Sequence, residues 1–593
     1  MKKILIFVFL AAVLSLVTSC NNDVLNKEPL GMISDNVVWA DETLVNAYIT
    51  EVYGEMDFFV NDLYGKSMYN TQFLGKNWFD MCMSTNISDE ATDGWVAASF
   101  RNGPLTNAGG LFELWPYDLI RKQNVFLEQM AKSDLSANFK KQRIAEVRFL
   151  RAYTYFSMVK RYGGVPLITK SQSLTDSEAD LYPVRNKEVE IYNFVSSEID
   201  DIINDLPDSY STSDLGRPTR YAALALKSRS AMFAASIATW GKMDLNGVVG
   251  IPATQAQSFW QASYDASNKI IQSGKYALYK KYWSTDKAKN YQYIFLDENN
   301  VEIIFSKQFN GNDGVGGIGH GWDLYQSPKA GNPWGGGNES AVYYSMVQSY
   351  DYIDGTPGTT MAPDLLTRNW TMGELWKNKD PRFFASIYTQ GTPWQNDSLQ
   401  MYFAILDANL VQVSSGSYNG ILAKGASNAS IFSFGVKKYL DPSVKTTPDN
   451  NMSTTDWIVF RYGEIVLNFA EAALELGKNA EALGAINQIR DRAGIALLSS
   501  ISRDQIRNER KVELAFENHR YWDLRRWRTA QVALSGNQYA FRYLLDYNTR
   551  KFRVRTPLGY GTVLPKFSEN QYYFPITRAR IANNPNLVEN PGY

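Results

Sequence analysis

Two helix-period apolar stretches, Arg461–Leu476 and Ala480–Arg492, follow one another with Gly477-Lys478 between them. Gly477 is placed for a left-handed cap on the first. A helical pair of this kind cannot cover its own apolar faces, so several have to stack. Other stretches fit that demand. A third helix is predicted from about Arg503 to Glu517, after Gly494. In Arg143–Arg161, Ile144, Val147, Leu150, Tyr153, Met158 and Val159 form a broad apolar stripe. Gly163-Gly164 ends that helix, and Pro166 prevents its resumption. Tyr221–Trp240 has Ala at 222, 223, 225, 231, 234, 235 and 238, and such small side chains let helices approach closely. The expected class is mainly α.

The stretch from Ala470 to Leu483 resembles a tetratricopeptide hairpin, and degenerate hairpins of that kind are expected along the chain. The middle differs. From about Tyr282 to Asp456 the helical period fades, and ten glycines fall between Gly311 and Gly337. Trp322, Tyr325 and Trp334 sit among them, with Trp283, Trp370, Trp376 and Trp394 nearby in sequence. This predicts a loop-rich lobe inserted into a helical scaffold.

The N-terminus sets the compartment. Lys2 and Lys3 precede an apolar run, Ile4–Leu14, too short to span a bilayer, so it is expected to be a cleaved secretory signal. Leu16-Val17-Thr18-Ser19-Cys20 resembles the lipobox of bacterial lipoproteins, which implies cleavage before Cys20 and acylation of that residue. The expected organisation is a signal over 1–19 and a lipidated tether over 20–34. A helical region over 35–281, a ligand-binding lobe over 282–456, and a C-terminal helical region and tail over 457–593 follow. Loss of Lys2 and Lys3 leaves the mature chain with a formal charge of about −3 and no long basic block, so nothing argues for nucleic acid.

The chain offers little to catalysis. After Cys20 only Cys82 remains, set between Met81 and Met83 and expected to be a small buried apolar residue. The two histidines, His320 and His519, cannot supply a His-based metal site or a Ser-His-Asp triad, so no metal or cofactor is expected. Gly314-Val-Gly316-Gly-Ile-Gly319 matches GxGxxG, but His320-Gly321-Trp322 is a poor helix start, and the glycines are expected to hold aromatics at the surface. Asp89/Glu90 and Asp297/Glu298 are adjacent carboxylates that would not flank one glycosidic bond. Asp351 with Asp354-Gly355 lacks the calcium-loop pattern. Glu509, Glu513 and Glu517 with Arg510, Arg520, Arg525 and Arg526 are expected to form a structural ion-pair network.

Aromatic rings in Gly- and Asn-rich loops suit sugars, whose C–H faces pack on indole and phenol rings while polar side chains at the rim bind hydroxyls. Trp95 follows Ser88-Asp-Glu-Ala-Thr-Asp-Gly. Trp322 lies beside Asp323, Tyr325 and Gln326, and Trp334 beside Asn332 and Asn338. Trp95, Trp322, Tyr325, Trp334 and Asn338 are the expected ligand contacts.

Larger blocks resemble the SusD/RagB family of surface nutrient-binding lipoproteins of Bacteroidetes. They are Arg503–Trp527, Trp457–Glu464 with Ala470-Glu-Ala472, and Ile489–Gly494. Arg148–Tyr153, Arg161–Leu167, Gly216–Ala222, Tyr573–Ile576 and Asn584–Tyr593 also fit. The resemblance implies four tetratricopeptide-like hairpins with an irregular ligand-binding lobe. With two histidines, no metal-ligand cluster and no carboxylate pair, no catalysis is expected; the resemblance implies an oligosaccharide ligand and a SusC-like TonB-dependent transporter over which the lipoprotein sits as a lid in the outer membrane. Trp95 stands where relatives often place a binding aromatic. A peptide-capturing member of the family and a surface glycoside hydrolase are the alternatives.

Overall fold

The computed structural model describes residues 35–56, 58, 84–92, 106–109, 113–310, 319–328, 332, 340–407, 409–413, 433–448, 452–536, 538–559 and 566–593. The signal, the tether, Cys20 and Cys82 lie outside them.

The longer helices are α1 (Glu42–Glu55), α2 (Tyr117–Lys132), α3 (Ala137–Tyr162), α4 (Glu188–Ile202), α5 (Arg220–Trp240), α6 (Ala256–Gln272), α7 (Tyr462–Glu475), α8 (Asn479–Ala493), α9 (Arg503–Glu513) and α10 (Arg520–Arg526). They pack largely in chain order: α2 on α3, α3 on α4, α4 on α5, α5 on α6, α6 on α7 and α7 on α8. This is a mainly α, tetratricopeptide-like stack. The contact of α6 with α7 closes it across the whole excursion 273–461, so the irregular middle is inserted between two helices that touch.

Local chemistry explains the elements. α5 is buried on nearly every side, which its alanines permit, and Thr219 caps it by accepting a hydrogen bond from the Ala222 N–H. At Gly164 a Cβ would stand 1.8 Å from the Asn186 carbonyl oxygen, so no other residue fits after α3. Gly477 has φ +77°, the left-handed conformation expected between α7 and α8. The third helix of the C-terminal block stops earlier than its pattern suggests. The Glu513 carbonyl accepts from Arg461 Nη2 at 2.7 Å and from the Tyr291 hydroxyl, which takes the acceptor that a continuing helix would offer to residue 517. Phe516 and Asn518 then adopt φ of +62°.

The strands of the two larger sheets and of a two-stranded ribbon are β1 (Ala91–Thr92), β2 (Ile303–Lys307), β3 (Ala341–Val342), β4 (Ile387–Thr389), β5 (Ala404–Leu406), β6 (Gln412–Val413), β7 (Phe434–Val436), β8 (Trp457–Arg461), β9 (Tyr539–Asp546) and β10 (Phe552–Gly559). One sheet runs β1-β3-β7-β4, another β10-β9-β5-β6, and β8 pairs antiparallel with β2. The β2–β8 ribbon bolts the lobe to the helices: Phe305 meets Phe149 and Phe58 edge-on at ring distances of 5.6 and 5.1 Å. One continuous apolar core takes in helices and lobe alike.

Charges are built into that core. Arg461 reaches Glu513, Glu302 and Glu517 at 2.8, 2.8 and 2.7 Å. Arg382 bridges Glu509, Glu513 and Asp380 at 2.6, 3.0 and 2.8 Å, and Arg492 pairs with Glu302 and Glu513. Lys438 completes Glu517 at 2.8 Å. The network is structural, as expected, but its pairs differ from the expected ones. Glu509 and Glu513 share one helical face, turned toward cations of other elements, while Arg510 lies about 100° around the helix. Arg510 and Arg526 take Asp523 instead, Arg526 also takes Glu471, and Arg525 donates to the Tyr572 carbonyl.

Candidate functional site

The segment before Trp95 is held unusually firmly. The Ser88 hydroxyl donates to the Thr85 carbonyl at 2.7 Å and accepts from the Glu90 N–H at 3.0 Å. Burial opposes charge on Asp89, yet Arg520 and Lys511, at 2.7 and 2.9 Å, hold its carboxyl well below the usual range. Glu90 accepts from the Phe516 N–H at 3.2 Å, and burial together with the Asp89 charge pushes it up to about 7. Both carboxylates of this adjacent pair are thus fasteners to the loop and helix at 511–520.

β1 then pairs antiparallel with β3, Ala91 opposite Val342 and Thr92 opposite Ala341, and the Tyr343 N–H donates to the Glu90 carbonyl at 3.0 Å. The chain leaving Thr92 and the chain arriving at Ser340 therefore meet at one end of a strand pair. Trp95, Trp334 and Asn338 lie outside the described residues.

Trp322 and Tyr325 correct the expectation of surface platforms. They lie on a short helix, Trp322–Gln326, and are 1% and 3% exposed. The Trp322 ring lies 6.0 Å from both Trp457 and Tyr439, and its Nε1 donates to the Lys438 carbonyl at 3.1 Å, which satisfies the buried indole. Asn332 is also inside, donating to the Ser327 hydroxyl at 3.0 Å. His320 Nε2 donates to the Thr455 carbonyl at 2.9 Å while Nδ1 accepts from the Trp322 N–H, and burial pulls the ring down to about 4. A strand, β2, does precede the glycines, but its partner is the antiparallel β8, and the helix that follows has five residues, so the described residues build no dinucleotide unit here.

Asp297, Asp354 and Asp351 have structural partners. Asp297 pairs with Lys281 at 2.8 Å and accepts from the Tyr279 hydroxyl, in an open groove of about 640 Å³. Asp354 accepts from the Thr356 N–H and Asp351 from the Gly358 N–H. Among the described residues no group of His, Cys, Asp and Glu could hold a metal ion.

One cavity in the lobe was not anticipated. It measures about 190 Å³ and lies just past β3, with Tyr344, Tyr352, Trp370 and Trp376 in its walls. Trp370 Nε1 donates to the Leu365 carbonyl and Trp376 Nε1 to the Tyr543 hydroxyl, both at 3.1 Å, so the indoles are fixed. Arg368 stacks 3.6 Å from the Trp370 ring centre. Gln348 and Thr360 add polar groups. The sequence signal was only two tryptophans six apart in a stretch without helical period, which does not reveal a shared wall.

The chain matches two family models. Residues 301–593 match one described as the SusD family, and residues 24–232 match one described as starch-binding associating with outer membrane. SusD-like protein P38 of Formosa agariphila is 24% identical over 541 residues, covering 88% of this chain and 91% of that protein. A SusD-like protein of Bacteroides ovatus is 24% identical over 437 residues, 71% of this chain and 63% of that one. The crystal structure of a SusD-like protein from Bacteroides fragilis superposes with a TM-score of 0.70 at 26% identity, over 96% of this chain and 100% of the other. A SusD-like carbohydrate binding protein of the same organism gives 0.67 at 23% identity, over 93% and 100%.

Proposed function

The chain belongs to the SusD/RagB family, and from that premise we propose that it is a non-catalytic lipoprotein that captures oligosaccharides at the cell surface and passes them to a SusC-like TonB-dependent transporter. The observation that carries the glycan reading is the β1–β3 pairing. It fastens the strand ends leading to Trp95 on one side and to Asn338 and Trp334 on the other. Aromatic platforms on a rigid base, with amide groups at the rim, are what sugar recognition requires. The match of residues 24–232 to a starch-binding family and the likeness to a carbohydrate binding protein support it. Acylation at Cys20 would anchor the protein in the outer membrane, and no helix among the described residues is long and apolar enough to cross a membrane.

A glycan array, followed by titration calorimetry on the hits, tests the reading. Binding without turnover is expected, weakened about tenfold by Trp95→Ala or Trp334→Ala. Turnover of a bound glycan that a point mutation removes, or binding of peptides in place of glycans, would overturn it.

A further inference from the structure

The cavity beside β3 contains a cation with too few partners. Lys379 is 2% exposed. Its ammonium carries three protons, yet its one hydrogen bond, to the Gly358 carbonyl, is 3.4 Å long, and it lies 4.5 Å from the Tyr352 ring centre. Asp351 and Asp380 are within electrostatic reach, but both are engaged. Asp380 is clasped by Arg382 at 2.8 Å, and Asp351 accepts from the Gly358 N–H at 3.2 Å with Arg490 at 3.7 Å. Burial pulls Lys379 down to about 8. A buried ammonium so poorly compensated is costly unless an anion completes it. Lys377 stands exposed on the same wall and, among the described residues, makes no ion pair. The one carboxylate in the lining, Glu374, is turned to its own helix start, where it accepts from the Thr371 N–H at 2.9 Å and hydroxyl at 2.8 Å.

Resting on the glycan reading above, we propose that this cavity is a second subsite, for a sugar ring that bears an anionic substituent. Tyr344, Tyr352, Trp370 and Trp376 pack the ring, and Lys379 with Lys377 pairs the charge. The volume, about 190 Å³, is small beside the roughly 300–1,000 Å³ of drug-sized sites, and so fits one ring of a chain. A uronic acid carboxylate and a sulfate ester share the chemistry the lysines require.

Calorimetry on the detergent-solubilised full-length protein tests this with oligogalacturonate as the carboxylate arm and a carrageenan tetrasaccharide as the sulfate arm. Each is compared with a neutral oligosaccharide of equal length, and inorganic sulfate controls for a bare anion. At least one acidic probe should bind tenfold or more tightly than its neutral counterpart. Lys379→Met and Lys377→Met should each reduce that preference at least threefold, and Lys379→Arg should retain it. Because Lys379 is buried, melting curves accompany its variants; the exposed Lys377→Met decides if Lys379→Met unfolds. The subsite is overturned if neither acidic probe is preferred, if the preference ignores both lysines, or if inorganic sulfate binds as tightly as the sugars. Neutral glycan binding without an acidic preference would overturn this subsite and leave the glycan reading standing.

Discussion

Arg520 grips Asp89 with two parallel hydrogen bonds, Nε to Oδ1 at 2.7 Å and Nη2 to Oδ2 at 2.9 Å, across 431 positions of sequence. The pair ties the scaffold helix α10 to the segment that leads to Trp95, so it links fold stability to the proposed platform. Asp89→Asn leaves Arg520 and Lys511 without their buried counter-charge and should cost about 3 kcal/mol in urea unfolding. The double variant Asp89→Asn/Arg520→Met should lose clearly less than the sum of the singles. Additive losses would show that the two residues act separately. Glycan affinity should fall in Asp89→Asn at temperatures where the protein is still folded.

Arg461 sits where Glu302, Glu513 and Glu517 converge, and all four are buried. Arg461→Met removes the shared cation and should destabilise by about 3–5 kcal/mol. It should also change glycan binding little while folded. A loss under 1 kcal/mol would mean that Arg492, Arg382 and Lys438 suffice.

Trp322 and Trp95 should behave oppositely. Trp322→Ala opens a hole in the core and should cost about 3–5 kcal/mol by denaturation. Trp95→Ala should weaken glycan binding about tenfold with the melting temperature nearly unchanged. A Trp322→Ala protein of normal stability that no longer binds glycans would return Trp322 to the list of contacts.

Glu188 gives a pH dependence of known sign. Its Oε2 accepts from the Gly250 N–H at 2.5 Å and the Tyr573 hydroxyl at 2.7 Å, and burial pushes it up to about 7. The folded protein therefore holds a proton here that the unfolded chain releases near pH 4.5. The stability this contributes is present at and below about pH 4.5 and is lost as pH rises through 7. Glu188→Gln keeps both acceptor bonds and cannot ionise. Its unfolding free energy should fall less between pH 5 and pH 8 than that of the wild type, by about 2–3 kcal/mol. Parallel pH profiles would show that Glu188 is ionised throughout.

The amino-acid sequence by itself determined the helical stack. The stripe of α3, the alanines of α5 and the Gly477 break are local patterns, and each became the element they specify because helix period and capping depend on residues a few positions apart. The structural role of the charged block was legible on the same ground. Its partners were not, since Glu513 finds Arg382, Arg461 and Arg492 on three other elements. Trp322 shows the same boundary. Glycine-rich neighbours suggested exposure, but Tyr439 and Trp457, over a hundred residues away, cover it and the Lys438 carbonyl takes its indole proton. The wall shared by Tyr352, Trp370, Trp376 and Lys379 has no sequence signature at all. Burial and ion pairing depend on what surrounds a side chain in space, and in an inserted lobe those surroundings are supplied by distant stretches of chain, so only the tertiary structure decided them.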